Sequence, residues 1–260
     1  MNLKKQIRKE MTIDRLNVVI YEQAELMAKN ASDFVEKKIK EAINKSGFAN
    51  IILATGSSQF LFLEALKKKE IDWKKITVFH LDEYKDISAS HPASFRKYLR
   101  DRILNFVNPK KVYFLNGDAA DCEKEMKKYE QSLINHPIDI ACIGIGENGH
   151  IAFNDPGVAD FSDRDLVKLV CLDEACRKQQ FTEGWFPSLE AVPKQALTLT
   201  IPAILESKVI SCFVPDQRKS KAVYDTLTGE INTSCPASIL RTHPQSTLFL
   251  DISSSSKLNL

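Results

Sequence analysis

The chain has 260 residues, 43% of them hydrophobic and 27% charged, a balance that excludes fibrous, disordered and miniprotein classes and leaves enough chain to bury a substantial core. Thirty-six Lys and Arg against 34 Asp and Glu give a formal charge of +2, with both signs interspersed, which argues against a nucleic-acid surface. The longest apolar runs, such as Ile138 to Ile145, fall far short of the roughly 20 residues of a membrane-spanning helix, so neither nucleic acid nor a membrane is expected as a partner.

In chain order, the basic residues Lys4, Lys5, Arg8 and Lys9 precede no apolar stretch fit to be a signal-peptide core, and a cytoplasmic location is expected. Strands are predicted at Leu16 to Ile20, Asn50 to Ala54, Ile76 to His80, Val112 to Leu115, Ile138 to Ile143, Val167 to Leu172, Ala196 to Thr200, Val209 to Val214 and Thr247 to Leu250. Helices are predicted at Glu22 to Asn44, Ser57 to Lys69, Pro92 to Phe106, Asp121 to Asn135 and Lys219 to Leu227. Strands alternating with helices indicate βαβ units. The expected fold is a single Rossmann-like α/β domain over residues 1–252, its central sheet mostly parallel and flanked by helices, followed by a polar tail over 253–260 that includes the Ser253 to Ser256 run. The six cysteines, Cys122, Cys142, Cys171, Cys176, Cys212 and Cys235, form no CxxC pair and read as free thiols of a reducing compartment, not as metal ligands.

Ligands of open α/β sheets bind beyond the carboxyl ends of the strands, and four such places carry unusual chemistry. Thr55-Gly56-Ser57-Ser58-Gln59 joins a strand to a helix with a glycine, two serines and a threonine, an anion cradle suited to phosphate; a serine cap on an ordinary turn explains it equally well. His80-Leu81-Asp82-Glu83-Tyr84 puts two carboxylates where a buried strand emerges. Asp82 there could be a general base in a cleft, or it could cap the next turn while Glu83 faces water. Gly144 to Gly157 holds three of the nine glycines and one of the five histidines within seven residues, Gly144 to His150. Asn148 and Asp155 stand close enough in sequence to orient the His150 imidazole for proton transfer. Finally, Lys219, in Asp216-Gln217-Arg218-Lys219-Ser220-Lys221, opens a helix where its charge opposes the dipole unless an anion sits there; the alternative is a solvated basic face.

Ala54-Thr55-Gly56-Ser57-Ser58, then Phe79 to Tyr84, then Gly144 to Pro156, in this order, resemble the glucosamine-6-phosphate deaminase (isomerase) family. The resemblance runs from near Leu16 to about Leu250 and includes Val192-Pro193-Lys194-Gln195-Ala196-Leu197-Thr198. It implies aldose-to-ketose isomerisation of an amino-sugar phosphate with loss of ammonia, giving fructose 6-phosphate from glucosamine 6-phosphate. It also implies Asp82 as the base moving a proton between C2 and C1, His150 as the acid/base at the ring oxygen, and Thr55 to Gln59 with Lys219 as the phosphate site. No metal or redox cofactor is implied, the partner is a small sugar phosphate, and a homo-oligomer stays open.

Three departures from the family pattern stand out. Asn148 occupies a position where many members carry Asp, and Asp155 one where Glu is usual. The stretch Arg177-Lys178-Gln179-Gln180-Phe181-Thr182-Glu183-Gly184 lacks the phosphate-clamping arginine of an Asn-x-Arg-Phe-like segment, with Lys178 or Arg241 as substitutes. A galactosamine 6-phosphate deaminase, a 6-phosphogluconolactonase-like hydrolase and a noncatalytic sugar-phosphate sensor are the alternative functions.

Overall fold

The computed structural model of the chain describes residues 7–182 and 184–258; Lys4, Lys5 and Glu183 lie outside them, as do the last two residues of the expected tail. β1 (Ile7–Ile13) and β2 (Leu16–Tyr21) form an antiparallel hairpin whose register shifts between Ile7 and Lys9. α1 (Ala24–Ser46) follows and stops at Gly47, whose φ of 81° lets its N–H reach back to the Ile43 carbonyl. Then come β3 (Ala49–Leu53), a 3-10 turn (Ser57–Gln59), α2 (Phe60–Leu66), β4 (Ile76–His80) and β5 (Asp82–Tyr84). A helix begins as α3 (Phe95–Leu99), widens to a π turn (Arg100–Leu104) and ends as α4 (Asn105–Val107); β6 (Lys111–Val112), α5 (Cys122–Asn135) and β7 (Ile140–Ile143) come next. The later part supplies β8 (Val167–Cys171), α6 (Glu174–Thr182), β9 (Gln195–Leu199), α7 (Ile201–Leu205), β10 (Val209–Val214), α8 (Ser220–Thr228) and β11 (Ser246–Asp251).

Eight strands make one sheet in the order β1-β2-β11-β10-β7-β3-β4-β6. Apart from the first pair its ladders are parallel. Strands buried on both faces give the apolar runs that made them legible. Ile51 and Leu53 point into one core with α1, α2 and the α3 helix, whereas Ile52 and Ala54 point into the other with α5, α7 and α8. The expected helix-flanked, mostly parallel α/β sheet is therefore present. From β3 the chain progresses outward through β4 and β6, then returns to the other side of β3 as β7 and progresses to β10 and β11. That reversal opens a crevice between the ends of β3 and β7, where such sheets take ligands.

Several elements depart from the sequence expectation. β1 was not predicted, because its charged, exposed Arg8-Lys9-Glu10 lacks an apolar run. β5 also has a loop-like sequence; it is a strand because β9 pairs with it, Asp82 opposite Thr198, in a second, antiparallel sheet of order β5-β9-β8. The strand expected at Val112 to Leu115 pairs only over Lys111–Val112, since Leu115 N–H instead donates to His80 Nε2 at 2.8 Å. The serine run is no loose tail: Ser254 and Ser255 are buried, and their hydroxyls and amides turn back onto Asp251.

Candidate active site

The Thr55–Gln59 loop leaves the end of β3 on the crevice. Gly56 has φ 98°, a conformation that favours glycine, and its carbonyl accepts the Tyr98 hydroxyl at 2.7 Å. Thr55, Gly56, Ser57 and Ser58 line a cavity together with Asp82, His150 and Lys219. Gln59 lines it too, but as a strut: it is 1% exposed, and Nε2 donates to the Phe213 carbonyl at 3.1 Å. A Cβ on Gly144 would lie 2.7 Å from that same nitrogen, so Gly144 makes room for the strut.

Asp82 and Glu83 emerge from β4 with opposite surroundings. Glu83 does not face water; it is fully buried. Its carboxylate accepts the Ser94 hydroxyl at 2.7 Å, the Phe95 and Arg96 amides at 3.1 Å and Arg96 Nε at 3.0 Å. It thus satisfies the first amides of α3 and pairs with a guanidinium that also reaches Asp118 at 2.8 Å. Burial pushes the Glu83 carboxyl upward, and these hydrogen bonds partly offset that rise. Asp82, by contrast, is held well above the usual carboxylate range, first by burial and second by the neighbouring Glu83 charge. A carboxylate of raised pKa in a cleft is a stronger base than one in water.

After β7 the loop brings His150 over Gly146 so closely that a Cβ there would lie 2.1–2.3 Å from ring atoms. His150 Nδ1 is 2.7 Å from Asn148 Oδ1 and 2.9 Å from Asp155 Oδ1. Asn148 Nδ2 donates to that same Asp155 oxygen at 2.8 Å. Two oxygen acceptors at Nδ1 put the proton there, leaving Nε2 to serve the cavity. Asn148 and Asp155 do not line the cavity; they stand behind the imidazole and orient it. Burial pushes the Asp155 carboxyl up, but the hydrogen bond and charge of His150, with donors on Asn148 and Cys176, bring it below its ordinary value of 3.8.

Lys219, buried at the end of the 3-10 turn after β10, completes the wall. Its neighbour Arg218 bridges to Asp216 at 3.1 Å and to Glu147 of the histidine loop at 3.4 Å. Among the described residues no three His, Cys, Asp or Glu side chains converge as a metal-ligand set, and no helix is long and apolar enough to cross a membrane. The cavity therefore joins a donor-rich loop and a lysine, suited to an anion, with a buried carboxyl of raised pKa and an oriented imidazole.

Residues 22–249 match the family profile of glucosamine-6-phosphate isomerases/6-phosphogluconolactonase. The chain belongs to this family. It is 36% identical over 232 residues to a glucosamine-6-phosphate deaminase of Listeria monocytogenes, covering 89% of this chain and 95% of that one. To the Bacillus cereus deaminase it is 31% identical over 236 residues, covering 91% and 87%. Among solved structures, a monomeric glucosamine-6-phosphate deaminase superposes with a TM-score of 0.83 at 32% identity, covering 92% of this chain and 98% of that one. The 6-phosphogluconolactonase of Trypanosoma brucei shares the fold, with a TM-score of 0.78 at 14% identity and 96% and 100% covered.

In this family member neither expected substitute for the arginine reaches the cavity. Lys178 pairs with Glu174 at 2.6 Å on the exposed side of α6, and Arg241 pairs with Asp14 at 2.7 Å and caps the Gly229 carbonyl. Arg177 staples the approach to β9 through the Leu189 and Val192 carbonyls. Each has a nearer partner of its own, so charge alone did not identify the lining. Sequence reasoning also missed residues that do line the cavity, among them Gln180, Phe95 and Phe153. The two phenylalanines carry no chemical signal, whereas Gln180 stood within the very stretch scanned for a cation.

Proposed function

We propose that this protein converts glucosamine 6-phosphate and water to fructose 6-phosphate and ammonia. The observation that carries this reading is the convergence of Asp82, His150, Lys219 and the Thr55–Ser58 loop on one cavity. The loop and Lys219 hold the phosphate. His150 takes the proton of the C1 hydroxyl on Nε2 and passes it to the pyranose ring oxygen, so that the bond from C1 to the ring oxygen breaks and the aldehyde forms while Nδ1–H stays on Asp155 and Asn148. Asp82 then removes the C2 proton, and the electron pair left behind forms the C1=C2 bond of the enolamine as the aldehyde oxygen takes a proton from the C2 ammonium. Return of a proton to C1 gives the C2 imine, which water hydrolyses to the ketone with loss of ammonia. One base serving two adjacent carbons must be rigidly placed, and β5 pairing with β9 fixes Asp82 in that way. The unpaired state of all six cysteines supports a cytoplasmic enzyme.

Glucosamine 6-phosphate, galactosamine 6-phosphate and 6-phosphogluconolactone supplied in parallel test the reading. Ammonia and a ketohexose phosphate are expected from the first. Folded protein that releases neither overturns the proposal, and turnover confined to another of the three reassigns the substrate.

A further inference from the structure

Lys219 is the one lysine or arginine among the described residues lining the cavity, and it shares that space with the Asp82 carboxyl. A phosphate monoester carries up to two negative charges, so neutral donors must complete its hydrogen bonding. Among the described residues, α6 contributes one to the lining, Gln180. Its Oε1 accepts the Tyr84 hydroxyl at 2.7 Å. An amide whose oxygen is engaged in this way presents two N–H bonds at its other end, and Nε2 donates to no acceptor among the described residues. Phosphate oxygens, which only accept, match that end.

The hydroxyl that holds the amide is itself fixed by the core. Tyr84 is fully buried, its ring 5.0 Å from Phe95, 5.3 Å from Phe153 and 5.4 Å from Phe186 between centroids. It stands two residues after Asp82 on β5, so the amide is registered to the strand that carries the base. We propose that Gln180 is a ligand-binding residue of this site, donating through Nε2 to the phosphate of the bound sugar, with Tyr84 as its positioning residue. The anion is then held by one cation and a set of neutral donors. This inference rests on the sugar-phosphate reading of the cavity.

Steady-state kinetics with glucosamine 6-phosphate, together with calorimetric titration of inorganic phosphate and fructose 6-phosphate, test it on Gln180→Ala, Gln180→Glu and Tyr84→Phe, each checked for folding by thermal melting. Gln180→Ala is expected to raise KM and both dissociation constants about tenfold to a hundredfold, the worth of one hydrogen bond to a charged group, with kcat within about twofold. Gln180→Glu, nearly isosteric and an independent check should the alanine variant not fold, is expected to weaken binding further by placing a carboxylate beside the anion. Tyr84→Phe is expected to weaken phosphate binding about two- to threefold and to add nothing in the Gln180→Ala background. Phosphate affinity within twofold of the parent in both Gln180 variants overturns the inference, and an undiminished Tyr84→Phe effect on Gln180→Ala overturns the role of Tyr84. Phosphate binding that depends on Gln180 in a protein releasing no ammonia overturns the deaminase reading alone; ammonia release with KM and phosphate affinity both indifferent to Gln180 overturns this inference alone.

Discussion

Asp82 and Asp155 are both buried aspartates of one site, 7% and 2% exposed, yet their carboxyls are displaced in opposite directions. Burial raises both, and partners decide the outcome. Asp155 receives the His150 ring and the Asn148 amide and falls below its ordinary value, whereas Asp82 has the Glu83 charge beside it and rises well above. The difference teaches how one fold makes two tools from one residue type. A carboxylate saturated with donors is an orienting group that keeps its charge; one deprived of them is a base.

The most direct way to break this comparison is Asp82→Asn, which is expected to lower kcat about 10³-fold or more and to abolish solvent exchange at C2, followed by NMR in deuterated water, with fructose 6-phosphate binding retained. Removing the opposite tool by Asp155→Asn is expected to lower kcat about 10²-fold, because the amide no longer holds the proton on Nδ1; ammonia release measures it. Gly146→Ala perturbs the imidazole without touching either aspartate. Displacing the ring by about 1 Å is expected to reduce kcat about tenfold to a hundredfold, while phosphate affinity measured by calorimetry is unchanged.

Smaller effects sharpen the contrast through stability. Glu83→Gln breaks the buried pair with Arg96 and is expected to destabilise the fold by about 3 kcal/mol in urea unfolding, with kcat of the folded fraction changed only severalfold. The aspartates themselves should give opposite pH slopes. Between the ordinary value of 3.8 and the raised native pKa of Asp82, the native state binds the extra proton, and stability falls as pH rises through that window. Asp82→Asn should therefore raise Tm at neutral pH and leave it unchanged near about pH 3. For Asp155 the unfolded chain binds the extra proton between the lowered native pKa and 3.8, so its stabilisation is present above that value and lost as pH falls through the native pKa. Asp155→Asn should lower Tm at neutral pH, with the deficit shrinking on acidification. Melting curves across pH with slopes of the same sign for both variants would contradict the assignment.

Burial on two faces made β4 and β10 legible to the residue, because such strands are mostly apolar along their whole length. β5 was not, since Asp82-Glu83-Tyr84 is a strand only through its partner β9, far along the chain. α6 and α7 were missed for other reasons: α6, mostly polar along Glu174–Thr182, offers too few apolar residues to show a helical repeat, and α7, five residues long, is set by the Thr200 cap and Pro202. At the site, Asp82, His150, Lys219 and the glycine-serine loop stood out by residue type and position after strands, and the structure brings them to one cavity. What pattern could not supply was direction: which of two adjacent carboxylates turns inward to an arginine, which glutamine braces a strand and which one reaches the cavity.

The hairpin that begins the described chain and the two-residue strand at the far side of the sheet have a consequence for self-association. A long parallel sheet normally offers unpaired N–H and C=O groups along its outer strands, a template on which other chains add. Here one margin is closed by β1, with Arg8, Lys9 and Glu10 exposed and its register broken after Ile7. The other tapers to Lys111 and Val112. Neither margin presents the flat apolar ribbon on which cross-β growth starts, so an eight-stranded sheet can carry an open catalytic crevice at the ends of its strands without also recruiting strands along its sides.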